Sequence, residues 1–219
     1  MTVSVIIPAH NAEAFLGQAL ESVLAQTHPA HEIVVFNDGS TDRTAEILRE
    51  FEGKILVLGG EGPARGAAHA RNRAVEVAQG EFLAFLDADD LWLPEKLQRQ
   101  LEAHARQTED CAVFGMVQEF NSEGPLGEYR TCALSSVCLV WRELARRAGP
   151  FDESLTLGDF ADWIARIQEL PARLLYLEQP LARRRYHQNN LGKREVGQRQ
   201  DYLEVVRRRL ARRRQGTQQ

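Results

Sequence analysis

Apolar residues fall in short bursts divided by polar loops, and each burst follows one of two periods. Val3-Ser4-Val5-Ile6-Ile7 is β-branched and stops at Pro8, which predicts a buried strand running into a loop. Between residues 12 and 26, Phe15, Leu16, Ala19, Leu20, Val23 and Leu24 recur at helical spacing and predict an amphipathic helix. Residues 33–36 predict a second strand, ended by Asn37-Asp38-Gly39-Ser40, after which Thr41 or Asp42 can cap a helix. A third strand is predicted at 55–58, followed by a Gly-rich loop over 59–66 and a helix over 67–78. A fourth, at 82–86, runs into Asp87-Ala88-Asp89-Asp90. This alternation predicts an α/β fold, a parallel sheet with helices on both faces. Ligands of such sheets sit beyond the carboxyl ends of the strands. The loops at 8–11, 37–40 and 87–90 are therefore expected to share one crevice.

The second half is less regular. Helices are predicted at 92–107, 140–148 and 159–170, the last with Phe160, Trp163, Ile164 and Ile167 on one face. Strands are predicted at 112–117, 129–131 and 174–177, and a basic helix at 202–214. No repeat or linker divides the chain.

Composition narrows the class. At 219 residues, 43% hydrophobic and 26% charged, the chain is long enough for one sizeable core and reads as globular. No apolar run reaches the ~20 residues of a membrane span. The N-terminus lacks a basic leader and reads as a strand rather than a signal peptide. Cys111, Cys132 and Cys138 have no CxxC spacing, which favours neither a disulfide framework nor a zinc site. A cytoplasmic location is expected. The formal charge of −4 hides an asymmetry. Residues 183–214 carry twelve Lys and Arg against Glu195, Asp201 and Glu204, a net of +9 that leaves −13 on the rest. Such an end suits an anionic surface, for instance peripheral contact with lipid headgroups at the inner face of a membrane, or is a solvated helix. A nucleic-acid partner would rest on this tail alone and is not expected.

Asp87, Asp89 and Asp90 crowd the exit of an apolar strand and repel one another. A divalent cation such as Mg²⁺ or Mn²⁺ suits their hard oxygens and bridges phosphates, whereas acids at a helix start are the plainer alternative.

Six segments in order carry a family likeness: 3–11, Asn37-Asp38-Gly39-Ser40-Thr41-Asp42, Ala70-Arg71-Asn72-Arg73-Ala74 with 80–90, Gly149-Pro150-Phe151-Asp152-Glu153, Gly158-Asp159 with Trp163, and Arg185-Tyr186-His187 to Asn190. Together they resemble family 2 glycosyltransferases of GT-A fold. The resemblance implies a GT-A domain over 1–190, with a nucleotide-sugar-binding half at 1–93 and an acceptor half at 94–190, followed by a basic helix or tail at 191–219. It implies inverting, metal-assisted transfer from a UDP- or dTDP-sugar to a hydroxyl on a glycan, a lipid-linked or another acceptor, as in cell-envelope or polysaccharide biosynthesis. Pro8, Ala9 and Asn11 would line the nucleotide pocket, Asp38 would accept a hydrogen bond from the base, and Arg71 would meet the base or the diphosphate. Asp87 would bind ribose, Asp89 the Mn²⁺ or Mg²⁺, and His187 the metal or the diphosphate. Asp159 would be the catalytic base, with Asp162 as the fallback. Capping of the following helix is the alternative role for Asp159.

Two positions depart from the family pattern. Asn37 stands for the usual first acid of the DDGS segment, and Gly158 for the Glu of the ED pair. Gly158 leaves room for a non-catalytic nucleotide-sugar binder. A nucleotidyltransferase would need a Gly-rich, Lys-containing loop where Pro8-Ala9-His10-Asn11 stands. An NAD enzyme would need GxGxxG after the first strand.

Overall fold

Four parallel strands form one side of a single sheet: β1 (Val3–Ala9), β2 (Glu32–Asp38), β3 (Leu56–Gly60) and β4 (Phe82–Phe85), in the order β3-β2-β1-β4. The structure is a computed structural model that describes residues 1–188, 190 and 205–208. The β1 backbone is flanked on both sides, Ile6 lying opposite Val34 on β2 and Phe85 on β4. Val3, Ser4, Val5, Ile6 and Ile7 are all 0% exposed, so both faces of the strand are covered, as expected of a parallel sheet.

The connecting helices are α1 (Leu16–Leu24), α2 (Thr44–Glu50) and α3 (Ala67–Val77). On α1 the buried residues are Leu16, Ala19, Leu20 and Val23, one helical stripe. Burying each of the larger aliphatics contributes about 1.5–3 kcal/mol, which outweighs the lack of a side-chain N-cap.

The sheet then continues through β8 (Leu139–Trp141), β6 (Cys111–Asn121), β9 (Arg173–Arg185) and β5 (Leu91–Trp92), with β7 (Gly124–Thr131) paired to β6. This half is mixed: β6 and β9 run parallel, while β4–β8, β6–β8, β5–β9 and β6–β7 are antiparallel. Its helices are α4 (Lys96–Ala105), α5 (Arg142–Ala148) and α6 (Asp159–Ile167).

Several boundaries differ from the sequence expectation. Leu91 and Trp92 pair with β9, so the helix expected from 92 starts only at Lys96, beyond Pro94. Val140 and Trp141 belong to β8 rather than to the helix after them. The strand expected at 174–177 extends to Arg185, so the first three arginines of the basic end lie in the sheet. Of the helix expected at 202–214, only residues 205–208 are described. They are helical, Val205 is buried, and Arg208 pairs with Asp152. The other residues of that helix lie outside the described residues. The three cysteines are free. Among the described residues no helix is long and apolar enough to cross a membrane.

An aromatic cluster joins the two halves. Trp163 of α6 packs on Phe85 of β4 with ring centroids 5.6 Å apart and stacks on Phe151 at 4.8 Å. Its indole nitrogen donates to the Gly149 carbonyl at 3.0 Å. The start of α6 is thereby held beside the carboxyl end of β4.

Candidate active site

The loops after β1, β2 and β4 meet at one edge of the sheet. His10 Nδ1 donates to the Asp38 carbonyl at 2.7 Å, since a carbonyl can only accept. Asn11 takes φ +48°, a left-handed conformation that Asn tolerates better than most residues. Its Oδ1 accepts from the Thr41 amide at 2.8 Å, and its own amide donates to Ser40 Oγ at 3.0 Å. Pro8 and Ala9 complete β1 opposite Phe36 and Asn37. Asn37, in place of an acid, closes the turn by accepting from the Ser40 amide at 3.2 Å.

Asp38 is 4% exposed and holds the Gly-rich loop. Its Oδ1 and Oδ2 accept from the Arg65 amide at 3.0 and 2.9 Å, and Oδ2 accepts from the Gly66 amide at 2.7 Å. Gly39 enables this contact: it sits at φ +64°, and a Cβ there would lie 2.2 Å from the Gly62 carbonyl oxygen. Glu153 fastens the same loop and the helix after it, pairing with Arg65 at 3.2 Å, His69 at 3.1 Å and Asn72 at 3.0 Å.

Each carboxylate after β4 has its own partners. Asp87 accepts from Arg71 Nη2 at 2.7 Å and from Ser135 Oγ at 2.8 Å. Asp90 is 3% exposed and accepts from Ser136 Oγ at 2.6 Å and the Arg185 amide at 2.8 Å. Burial, then the negative charges of Asp89 and Asp87, push its pKa well above the ordinary carboxylate range. Asp89 Oδ2 lies 2.9 Å from His187 Nε2 and 3.2 Å from Asn190 Nδ2. Burial and the charge of Asp87 raise the Asp89 pKa despite His187. The His187 ring rests against Phe15, 4.6 Å between centroids. Arg185, sandwiched between Phe15 and Phe120 at 4.7 and 4.5 Å, donates through Nε to the Asp89 carbonyl at 2.9 Å.

Asp159 is the first residue of α6, with Gly158 rather than Asp159 at the N-cap, and its Oδ2 accepts from Arg71 Nη1 at 2.5 Å. Arg71 thus joins the carboxylate after β4 to the one at the start of α6. Burial alone would depress the Arg71 pKa, and Asp159 and Asp87 outweigh it and raise it. Gly158 precedes with φ +81° and ψ +5°, a left-handed position where a Glu would be strained. That is a backbone reason for glycine at this site. Asp162 has a different partner: it is 2% exposed, is paired with Arg166 Nε at 3.0 Å, and lines a cavity of about 590 Å³ with Asn72, Glu76 and Arg166.

The structure therefore brings Asp87, Asp159 and Arg71 into one cluster, Asp89 and His187 into a second beside it, and Asn11 and Asp38 into the loops of β1 and β2. Among the described residues no three His, Cys, Asp or Glu side chains converge as a metal-ligand set. Sequence reasoning missed Ser135 and Ser136, which secure Asp87 and Asp90 from a 3-10 turn nearly fifty residues away. Paired serines before a short apolar strand carry no distinctive signal.

A family model described as glycosyl transferase family 2 matches residues 4–161. The chain is similar to WfaP of Escherichia coli, a UDP-Glc:alpha-D-GlcNAc-diphosphoundecaprenol beta-1,3-glucosyltransferase, with 37% identity over 178 residues, 74% of this chain and 68% of WfaP. WfgD of the same organism bears the same description and is 35% identical over 127 residues, 58% of this chain and 50% of WfgD. S. aureus TarS 1–349 in complex with UDP superposes with a TM-score of 0.75 at 21% identity, covering 94% of this chain and 64% of that one. The chain thus spans half the length of WfgD and under two thirds of the TarS fragment. The TarS likeness identifies the sheet as a GT-A type fold, and with the family model matching well over half of the sequence, the chain belongs to glycosyl transferase family 2.

Proposed function

We propose that the chain transfers a sugar from a UDP- or dTDP-sugar to an acceptor hydroxyl with inversion. The observation that supports this reading is the Arg71 bridge between Asp87, the proposed ribose ligand, and Asp159, the proposed base. The names of WfaP and WfgD specify UDP-Glc and a diphosphate-linked lipid acceptor, and TarS has been crystallised with UDP-GlcNAc. These support a nucleotide-sugar donor and a glycan or lipid-linked acceptor for this chain.

In this reading Pro8, Ala9 and Asn11 flank the nucleotide and Asp87 meets the ribose. Asp38 reads the base: a carboxylate offers about four acceptor sites, so the Arg65 and Gly66 amides leave room on Oδ1 for the imide N–H of uracil or thymine. Arg71 faces the base or diphosphate with its remaining donor capacity. Asp159 takes the acceptor proton on the face opposite the departing diphosphate, a requirement of single-displacement inversion. Asp162, consumed by Arg166, is the lesser candidate.

Asp89 and His187 offer donors that suit a divalent cation, a carboxylate oxygen and an imidazole nitrogen 2.9 Å apart. They would hold Mn²⁺ or Mg²⁺, which when bound supplies neutralisation of charge on the leaving diphosphate. The basic tail is proposed to keep the enzyme near an anionic membrane bearing its acceptor.

The test is turnover with a panel of UDP- and dTDP-sugars, comparing the native chain with Asp159→Asn. The variant keeps shape and loses basicity, so the rate should fall ~10²–10⁴-fold while UDP affinity stays unchanged. Near-full activity in Asp159→Asn, with loss in Asp162→Asn, would move the base to Asp162. No turnover with any donor despite tight UDP binding would make the chain a nucleotide-sugar binder.

A further inference from the structure

Arg71 is 5% exposed and reaches carboxylates on two separate elements. Nη2 donates to Asp87 at 2.7 Å, Nη1 to Asp159 at 2.5 Å, and the guanidinium carbon lies 5.8 Å from the Phe151 ring centroid. Its Nε is buried with no hydrogen-bond partner. A purely stabilising ion pair would be an odd device here. Burying one cation between two anions has a large desolvation cost, and apolar replacements often serve stability as well or better. Nor is the pair needed to dock α6, because the aromatic cluster and the Trp163–Gly149 hydrogen bond already do so.

What the pair does fix is direction. The free amides and the positive end of the dipole at a helix start attract an acidic side chain. Asp159, the first residue of α6 after Gly158 at the N-cap, is instead joined through Arg71 to the carboxylate at the end of β4. The planar fork of an arginine constrains both partners at once, which a lysine cannot do.

We propose that Arg71 is a positioning residue for the acceptor-activating carboxylate. One guanidinium sets where Asp159 points relative to Asp87, and so aligns the proton acceptor with the donor bound beside it. Near-attack alignment is sensitive enough that a displacement of about 1 Å can cost ~10²-fold in rate. The proposal rests on the reading of Asp159 as the base, and its test separates the two.

The experiment is a double-mutant cycle on kcat at saturating UDP-sugar and acceptor, using Arg71→Lys, Asp159→Asn and the double variant, with UDP affinity and thermal melting measured for each. Arg71→Lys keeps the charge and loses the fork, and should lower kcat by ~10²-fold. In the Asp159→Asn background the same change should alter kcat by no more than about twofold, because nothing remains to be aligned. Losses that multiply overturn the proposal and leave Arg71 acting on the donor alone. Full kcat in Asp159→Asn overturns the base reading and the positioning role with it. If Arg71→Lys loses its melting transition, Asp87→Asn detaches the other arm and the same cycle applies. Non-multiplying losses then support the strut, and multiplying ones refute it.

Discussion

Lys96 offers a quantitative test of how this core handles charge. It is 0% exposed, its Nζ donates to Gln100 Oε1 at 2.8 Å and the Cys138 carbonyl at 3.4 Å, and no carboxylate pairs with it among the described residues. Burial pulls its pKa down from 10.5 to about 7. In the unfolded chain the ordinary value returns. Between those values the unfolded state binds a proton that the native state does not, so stability rises with pH there. The slope is at most about 1.4 kcal/mol per pH unit. The buried thiols of Cys111 and Cys138, pushed up from 9.0 to about 11 and about 12, act in the opposite sense above pH 9. From pH 7 to 8.5 the lysine dominates this set, and the native protein should gain roughly 1.5–2 kcal/mol. Lys96→Met removes the titration and also strands Gln100 Oε1, at a pH-independent cost of about 1–3 kcal/mol. The comparison is therefore of slopes rather than of absolute stabilities. Urea unfolding of both proteins at several pH values across this window gives each slope directly. Parallel profiles would refute the argument. They would mean that the Trp92 ring, 3.9 Å from Nζ, retains the proton on Lys96 by a cation–π attraction, which reaches about 2 kcal/mol when desolvated.

Three further outcomes are expected. UDP should bind more tightly with Mn²⁺ than with chelator, and Asp89→Ala should abolish that gain; equal affinities in the native protein by calorimetry would remove the metal from Asp89. Gly39→Ala should displace the Gly-rich loop from Asp38 and weaken UDP binding by about tenfold, since strain at such a position is worth about 1–3 kcal/mol; unchanged UDP affinity would contradict this. The full chain should co-sediment with anionic but not neutral vesicles, at about 1 kcal/mol per basic residue near the surface and less in high salt, and a chain ending at Glu204 should not; equal sedimentation of both would instead favour packing of the tail on the body, as in the Arg208–Asp152 pair.

The first half of the fold was legible because its information is local. The strand and helix periods of residues 3–86 are regular enough to order the elements, and a parallel sheet with short polar exits then leaves little freedom in where those exits gather. The Asp-rich segment, the glycine turn at 39 and the acid at 159 were visible for the same reason: unusual residue types stand at element ends. The second half was not legible in the same way. Strands β5 and β8 have two and three residues, too short for any period, and form only because longer strands offer them an edge. Sequence likewise gave Asp159 two roles, base or cap, and kept Asp162 as its rival. Tertiary structure separated them by pointing one at Arg71, 88 positions earlier in the chain, and the other at Arg166, four positions later. No local pattern encodes the first of those contacts. It depends on an aromatic cluster docking α6 against β4, which is settled only when the whole sheet is packed.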